Sequence, residues 1–367
     1  MKIGVPKEIL DQESRIALTP AGVYALKSEG HEIFVERQAG LASSMLDEDF
    51  ISAGATIFNS AEDIFAKADL ILKVKQPLEN ECKYLRTSQI LFTFLHLAAD
   101  KKLTSDLCKS KATCIAYETI ELPNGALPLL IPMSEIAGRM SVQIGAHHLE
   151  KFFGGKGVLL GGVPGVEPAN VVIIGGGTVG SNAAKMAIGL GAKVVILDKN
   201  LNRLRELDDY FHGRLQTVYS TQHKLIEVIR EADLVVTAVL VTGAKAPKLL
   251  TKEILASMQP GSVIVDVAID QGGCVEGVRP TKHSDPIIKI NNVCVYAVPN
   301  IPGAVPITST TALTNATLPY VLKLANNGYN AVLDDPILAK GVNVHKGTIV
   351  HKAVAHALDM EYSPIRA

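Results

Sequence analysis

Short apolar runs bounded by turn residues recur along the whole chain, the pattern of strands buried on both faces. In the first third they fall at 3–6, 33–36, 56–58, 70–75, 90–95 and 113–118. Amphipathic helical patterns lie between several of them. One opens at Thr19-Pro20, a capping hydroxyl followed by proline at the first helical position, and stops at Gly30. Another covers 100–110. Strand and helix in alternation predict a parallel sheet with helices on both faces.

Residues 134–153 read as one long helix ended by Gly154-Gly155, and a loop rich in Gly and Pro follows. From Val171 a cleaner α/β pattern begins, with later strands ending at Asp198, Ser220, Val239, Ile269 and Asn300. That makes six strands, as in a complete dinucleotide-binding sheet. After Pro306 the chain turns helical over 309–326 and ends in a hairpin-like segment and a short helix. This tail is too short to be a domain and is expected to return to the first. The fold class is therefore α/β: two Rossmann-like domains with parallel sheets, the cofactor domain inserted in a discontinuous substrate domain. The expected bounds are 1–133 with 306–367 for the substrate domain and 134–305 for the cofactor domain, 134–153 being a long linking helix.

Composition narrows the function classes. The 367 residues suit about two domains of ordinary size. A net charge of −1 gives no basic footprint for nucleic acid. The five cysteines are scattered, with no C-x-x-C pair, which speaks against a disulfide framework or a zinc site and for a reducing compartment. The opening MKIGVPKEIL has no apolar signal-peptide core, and no run nears the roughly 18 apolar residues of a membrane span. A cytoplasmic protein with no membrane and no nucleic-acid partner is expected.

The strongest motif is G-x-G-x-x-G at Gly175, Gly177 and Gly180, between an apolar strand and a helical run. Gly175 permits the tight turn, Gly177 lets backbone approach a pyrophosphate, and Gly180 lets helix pack on strand. The next strand ends in Asp198, whose charge repels a 2′-phosphate, so NAD is expected rather than NADP. Arg203 lies close by and could soften that preference. Strand-end topology adds Ser220, Val239, Leu240, Val267 and Val298 as cofactor contacts, each equally readable as core or loop.

Titratable residues stand at or just past the strand ends of the first sheet: Arg15, Lys75, His96 and Glu118. Such groups on apolar segments make a polar pocket opposite the cofactor. Arg15 offers a fork for a carboxylate, or else a surface ion pair. Lys75 could hold a carboxylate or polarise a carbonyl, or simply end an edge strand. His96 could donate to a carbonyl oxygen or shuttle a proton, or be a satisfied core residue. Glu118 could orient a cation. In the second half, Asp270 precedes Gln271-Gly272-Gly273 and could act as general acid/base, or as a turn aspartate. Asn300 could bond the nicotinamide ribose or amide, or be a turn asparagine.

Longer stretches resemble one family. GVPKEI with ESRIALTP, VKQP after Lys73, LFTFLHLA around His96, GGVPGVEPA, GGGTVG, VDVAIDQGG around Asp270 and YAVPNIPGAVP with TSTTALTNATLPY are similar to the alanine dehydrogenases, over about the whole chain. The resemblance implies reversible NAD-dependent conversion of L-alanine to pyruvate and ammonium by a homohexamer. It implies that Arg15 and Lys75 hold the substrate and that His96 and Asp270 are the acid/base pair. It adds Ser134, Arg279 and Ile301 to the cofactor contacts named above, which include Thr178 and Val179 of the glycine motif. Some relatives carry an acid and a histidine, consistent with a metal, where this chain has Lys323 and Asn327, so no metal is expected. Ile307 stands where relatives often have arginine. A transhydrogenase-type nucleotide-binding subunit and a saccharopine- or lysine-type dehydrogenase share the arrangement and are the alternatives.

Overall fold

Runs rich in Val, Ile and Leu form the strands of two sheets in the computed structural model, which describes residues 1–239 and 246–365. The chain divides into two units: Met1–Met133 with Gly303–Ala367, and Ser134–Pro302.

The first unit begins with β1 (Lys2–Val5), β2 (Glu32–Glu36), β3 (Thr56–Phe58), β4 (Leu70–Leu72), β5 (Ile90–Thr93) and β6 (Thr113–Ala116). All are parallel, in the order β6-β5-β4-β1-β2-β3. The helix Pro20–Ser28 starts where Thr19 Oγ1 accepts the Gly22 N–H, and Lys101–Ser110 starts where Asp100 accepts that of Leu103. Strands β4, β5 and β6 stop two to three residues sooner than the apolar runs suggest, so Lys75, His96 and Glu118 sit on turns.

The second unit holds β7 (Asn170–Ile174), β8 (Lys193–Asp198), β9 (Gln216–Tyr219), β10 (Leu234–Thr237), β11 (Val263–Asp266), β12 (Ile287–Ile290) and β13 (Val293–Tyr296). Six are parallel in the order β13-β11-β10-β7-β8-β9. The seventh, β12, pairs antiparallel with β13 at the edge. The sequence pattern passes over it because it is short and half-exposed. Its turn onto β13 is made by Asn291 and Asn292, both at positive φ, the backbone a tight hairpin needs. Apolar clusters cover both faces of this sheet.

The long helix expected over 134–153 instead runs Ile131–His148, and a separate 3-10 turn, Lys151–Phe153, follows. Gly138 and Gly145 let it lie close on the second unit. A Cβ at Gly138 would sit 2.2 Å from the Val179 carbonyl oxygen, and one at Gly145 2.4 Å from Leu234 Cδ1.

The tail returns to the first unit. β14 (Val342–His345) pairs antiparallel with β6, and β15 (Thr348–Ile349) pairs antiparallel with β14. Among the described residues no helix is long and apolar enough to cross a membrane.

Candidate functional site

In the first unit, Arg15, Lys75, His96 and Glu118 follow β1, β4, β5 and β6, four strands adjacent in the sheet. A parallel sheet places the carboxyl ends of neighbouring strands on one edge, where ligands of such folds bind.

The Arg15 side chain is only 2% exposed. Its guanidinium forks onto Glu13, with Nε donating to Oε1 (2.6 Å) and Nη2 to Oε2 (2.5 Å), and Nη1 donates to Met133 Sδ (3.1 Å). Burial alone would push the Glu13 carboxyl up. The Arg15 bonds outweigh it, with the Lys75 charge helping, and hold the group below the ordinary carboxylate range. Glu13 was not among the residues picked out from sequence, although its place two positions before Arg15 is the signal that could have found it.

Because the Glu13 carboxyl is lowered in the folded state, the stability it contributes is complete above about pH 4.5 and is lost as pH falls through the folded value. Glu13→Gln is expected to cost about 3 kcal/mol in urea unfolding at pH 7. The cost should shrink well below pH 4.5, and an equal cost at both pH values would contradict the assignment.

Lys75 is half-buried on its turn. Its carbonyl accepts from Thr93 Oγ1 (2.9 Å), and its N–H and that of Val74 point at Glu8 Oε1 (3.4 and 2.6 Å). His96 has a left-handed backbone, φ +52, which a non-glycine residue adopts only with support. Glu118 gives that support. Its carboxylate accepts the N–H groups of Leu95 (3.2 Å) and His96 (2.5 Å). The same carboxylate faces His96 Nδ1 at 3.8 Å. The imidazole stacks parallel to Phe94, centroids 5.8 Å apart, and is about half exposed.

In the second unit Asp270 lies exposed on the 3-10 turn Val267–Gln271 after β11. Its Oδ1 accepts the Asn300 N–H (3.0 Å), and Asn300 is itself left-handed at φ +56. The turn is anchored by Asp266, which is fully buried and accepts from Thr237 Oγ1 (2.5 Å), Cys274 N (2.9 Å) and Val275 N (3.2 Å). Burial pushes the Asp266 carboxyl up, and the Thr237 hydroxyl and the two amides partly offset this. Sequence reading missed Asp266 because it looks like one more position of an apolar strand.

The glycine turn has the shape a pyrophosphate requires. Gly175 is at φ +103, where a Cβ would lie 2.6 Å from the Ala238 carbonyl oxygen. A Cβ at Gly180 would fall 1.9 Å from Gly175 O, whereas at Gly177 no atom lies within 4 Å. Gly177 is therefore the open point, at the N-cap of the helix Thr178–Gly189, whose first turn includes Thr178 and Val179. Asp198 Oδ2 accepts the Gly176 N–H (2.7 Å) and Oδ1 that of Asn200 (2.8 Å). Arg203 Nε donates to Gly176 O (2.7 Å) and Nη1 to Glu206 (2.7 Å). Asp198 lies on a shallow, open groove whose lining also includes Lys199, Asn200, Arg205 and Tyr219. These residues fit a dinucleotide, with phosphate donors at the helix start and a fixed carboxylate one strand away.

The remaining cofactor candidates divide by burial. Ser220 is half-buried just past β9, and its N–H donates to Asp198 O. Val239 and Val267 are half-buried after β10 and β11, Ser134 is half-buried in the long helix, and Arg279 is exposed. Val298 and Ile301 bury their side chains in the sheet core, so only their backbone is available to a ligand. Leu240 lies outside the described residues. Lys323 Nζ donates to Asp335 Oδ2 (2.6 Å), Ile307 is exposed in the first turn of the helix Pro306–Asn327, and Asn327 ends that helix. No group of three His, Cys, Asp or Glu residues placed to hold a metal occurs among the described residues.

Two family models cover most of the chain: the alanine dehydrogenase/PNT N-terminal domain over residues 4–137 and the C-terminal domain over 141–352. An alanine dehydrogenase of Methanococcus maripaludis is 56% identical over 99% of this chain and 98% of its own. That of Geobacillus stearothermophilus is 54% identical over 100% and 99%. A solved L-alanine dehydrogenase superposes with a TM-score of 0.95 at 52% identity, covering 98% of this chain and 99% of its own. A transhydrogenase from Sinorhizobium meliloti superposes at 0.82 with 24% identity over 96% and 100%, a likeness of fold.

Proposed function

The chain belongs to the alanine dehydrogenase/PNT family, and on that premise we propose that it oxidatively deaminates L-alanine to pyruvate and ammonium, reversibly and with NAD. The observation that carries the reading is full-length identity above one half with named alanine dehydrogenases. The placement of Lys75, His96 and Asp270 just past β4, β5 and β11, with Arg15 in the loop after β1, supports it chemically.

When bound, the nicotinamide supplies the acceptor for hydride leaving the alanine α-carbon. Arg15, set by Glu13, and Lys75 take the substrate carboxylate and the oxygen that develops as water adds to the imine. The Nδ1 edge of His96 faces Glu118, so Nε2 is the atom that exchanges a proton with substrate or water. Asp270 has Oδ1 engaged by Asn300 N–H, which leaves Oδ2 for the same task. The glycine turn, Asp198 and the backbone at Val298–Ile301 hold the dinucleotide.

NAD is assigned over NADP on the charge of Asp198, whose two oxygens are fixed by Gly176 and Asn200. Lys199 and Arg205 line the same open groove, so the discrimination falls to this one carboxylate. Asp198→Ser is expected to move the NAD/NADP ratio of kcat/KM toward NADP by about tenfold or more, since about 1.4 kcal/mol suffices. An unchanged ratio would remove Asp198 from the assignment.

A homohexamer in the cytoplasm completes the proposal. The family resemblance supports the hexamer, and five cysteines that are all free thiols suit a reducing compartment. Light scattering would test the assembly. The reaction is tested by absorbance at 340 nm with alanine and NAD, then with pyruvate, ammonium and NADH. Turnover confined to lysine or another bulky amino acid would favour the saccharopine-type alternative.

A further inference from the structure

Below the turn that carries Lys75 lie three charged side chains that no step above uses. Lys73, Glu8 and Glu81 are 1%, 3% and 2% exposed. Lys73 Nζ donates to Glu8 Oε2 (3.1 Å) and forms an ion pair with Glu81 Oε1 (2.9 Å). Two carboxylates around one ammonium are expensive to bury, and well-packed apolar residues would serve stability as well or better. What apolar residues cannot do is grip backbone. Glu8 Oε1 takes the Val74 N–H (2.6 Å) and points at that of Lys75 (3.4 Å), while Glu81 Oε2 takes the Leu78 N–H (2.9 Å). Thr93 Oγ1 holds the Lys75 carbonyl from the opposite side (2.9 Å). The segment 73–78 thus leaves β4 along a path set by two buried carboxylates, and Lys73 keeps those carboxylates in place.

We propose that Glu8 is a positioning residue for Lys75: anchored by Lys73, which Glu81 shares, its carboxylate fixes the Val74–Lys75 peptide, and so the root from which the Lys75 ammonium reaches the substrate carboxylate or carbonyl. The inference rests on Lys75 being a substrate-holding residue. The Lys75 stem has a finite reach from its Cα, so the course of the backbone limits where its charge can rest. A displacement of about 1 Å in such a group can cost on the order of a hundredfold.

The test is a double-mutant cycle on binding, which needs no turnover. The dissociation constant of oxamate, an unreactive isostere of pyruvate, is measured by fluorescence on the full-length enzyme saturated with NADH. The four forms are the native chain, Glu8→Ala, Lys75→Ala and the double variant. Glu8→Ala is expected to weaken oxamate about tenfold or more with NADH affinity unchanged, and Lys75→Ala to weaken it at least as much. In the Lys75→Ala background, Glu8→Ala should add no more than about twofold. An equal loss in both backgrounds would show that Glu8 acts elsewhere and overturn the proposal. Glu8→Met, which keeps volume but no oxygen acceptor, replaces Glu8→Ala if that variant unfolds. If both unfold, or if either folds and binds oxamate as the native chain does, the proposal is wrong. If Lys75→Ala alone binds oxamate normally, the reading of Lys75 falls first and the inference with it.

Discussion

Asp270→Asn and His96→Ala are each expected to lower turnover at least about a hundredfold, with NADH binding held within about twofold. Positioned acid/base groups contribute on the order of 10²–10⁴, and both residues lie where a strand hands over to a turn. Asp270→Asn keeps an oxygen for the Asn300 N–H while removing the proton-accepting charge, so the local fold should survive. His96 needs more care because its backbone is left-handed. Alanine there would bear strain of roughly 1–3 kcal/mol. His96→Asn is the better partner variant, since asparagine visits that region readily. Initial rates at 340 nm and NADH fluorescence titration decide the matter, and near-native turnover in any of the three variants would refute that residue's role. If the two groups act in one proton path, the double variant should lose little beyond the worse single one.

Gly180→Ala is expected to destabilise the second unit by about 3 kcal/mol or more and to abolish NADH binding. The added Cβ would fall 1.9 Å from the Gly175 carbonyl oxygen, a backbone atom that cannot yield without opening the turn. Gly177→Ala provides the contrast. Its backbone is at φ −68 and nothing lies within 4 Å of the built Cβ, so stability should be nearly unchanged. The methyl would occupy the space a pyrophosphate enters, and NADH affinity should fall about tenfold or more. Thermal unfolding and NADH titration on the two variants separate packing from ligand approach. A Gly177→Ala chain that binds NADH normally would place the phosphates elsewhere.

These features were legible to different degrees. The glycine turn and Asp198 could be read because their geometry is local: a fixed spacing carries strand, turn, helix and acid in register. The strand-end position of Lys75, His96 and Glu118 was readable from apolar runs that end in charge. The lengths of those strands were not. Past Leu72 the Lys73 N–H still reaches Phe92 O, but the Val74 N–H leaves the ladder for a carboxylate 66 residues away, at Glu8. The Glu8–Lys73–Glu81 cluster was invisible for the same reason, since nothing in the spacing of three charged residues says they share a buried site. β12 was missed although Asn291-Asn292 carries the turn signal, because IIKI is too short and too exposed to stand out. The long helix was read too far because the apolar pattern continues past His148, where the backbone does not.

The pairing of β14 with β6 bears on how the chain is made. β6 leaves the ribosome long before β14, with the entire second unit between them. Until the tail arrives, nascent first-unit sheet ends in an uncovered strand, the kind of border that recruits stray chains. The second unit, contiguous in sequence, has no such wait and can complete itself in between. Losing the last two strands would therefore show first as poor yield and association during expression, and only afterwards as a defect in the finished enzyme.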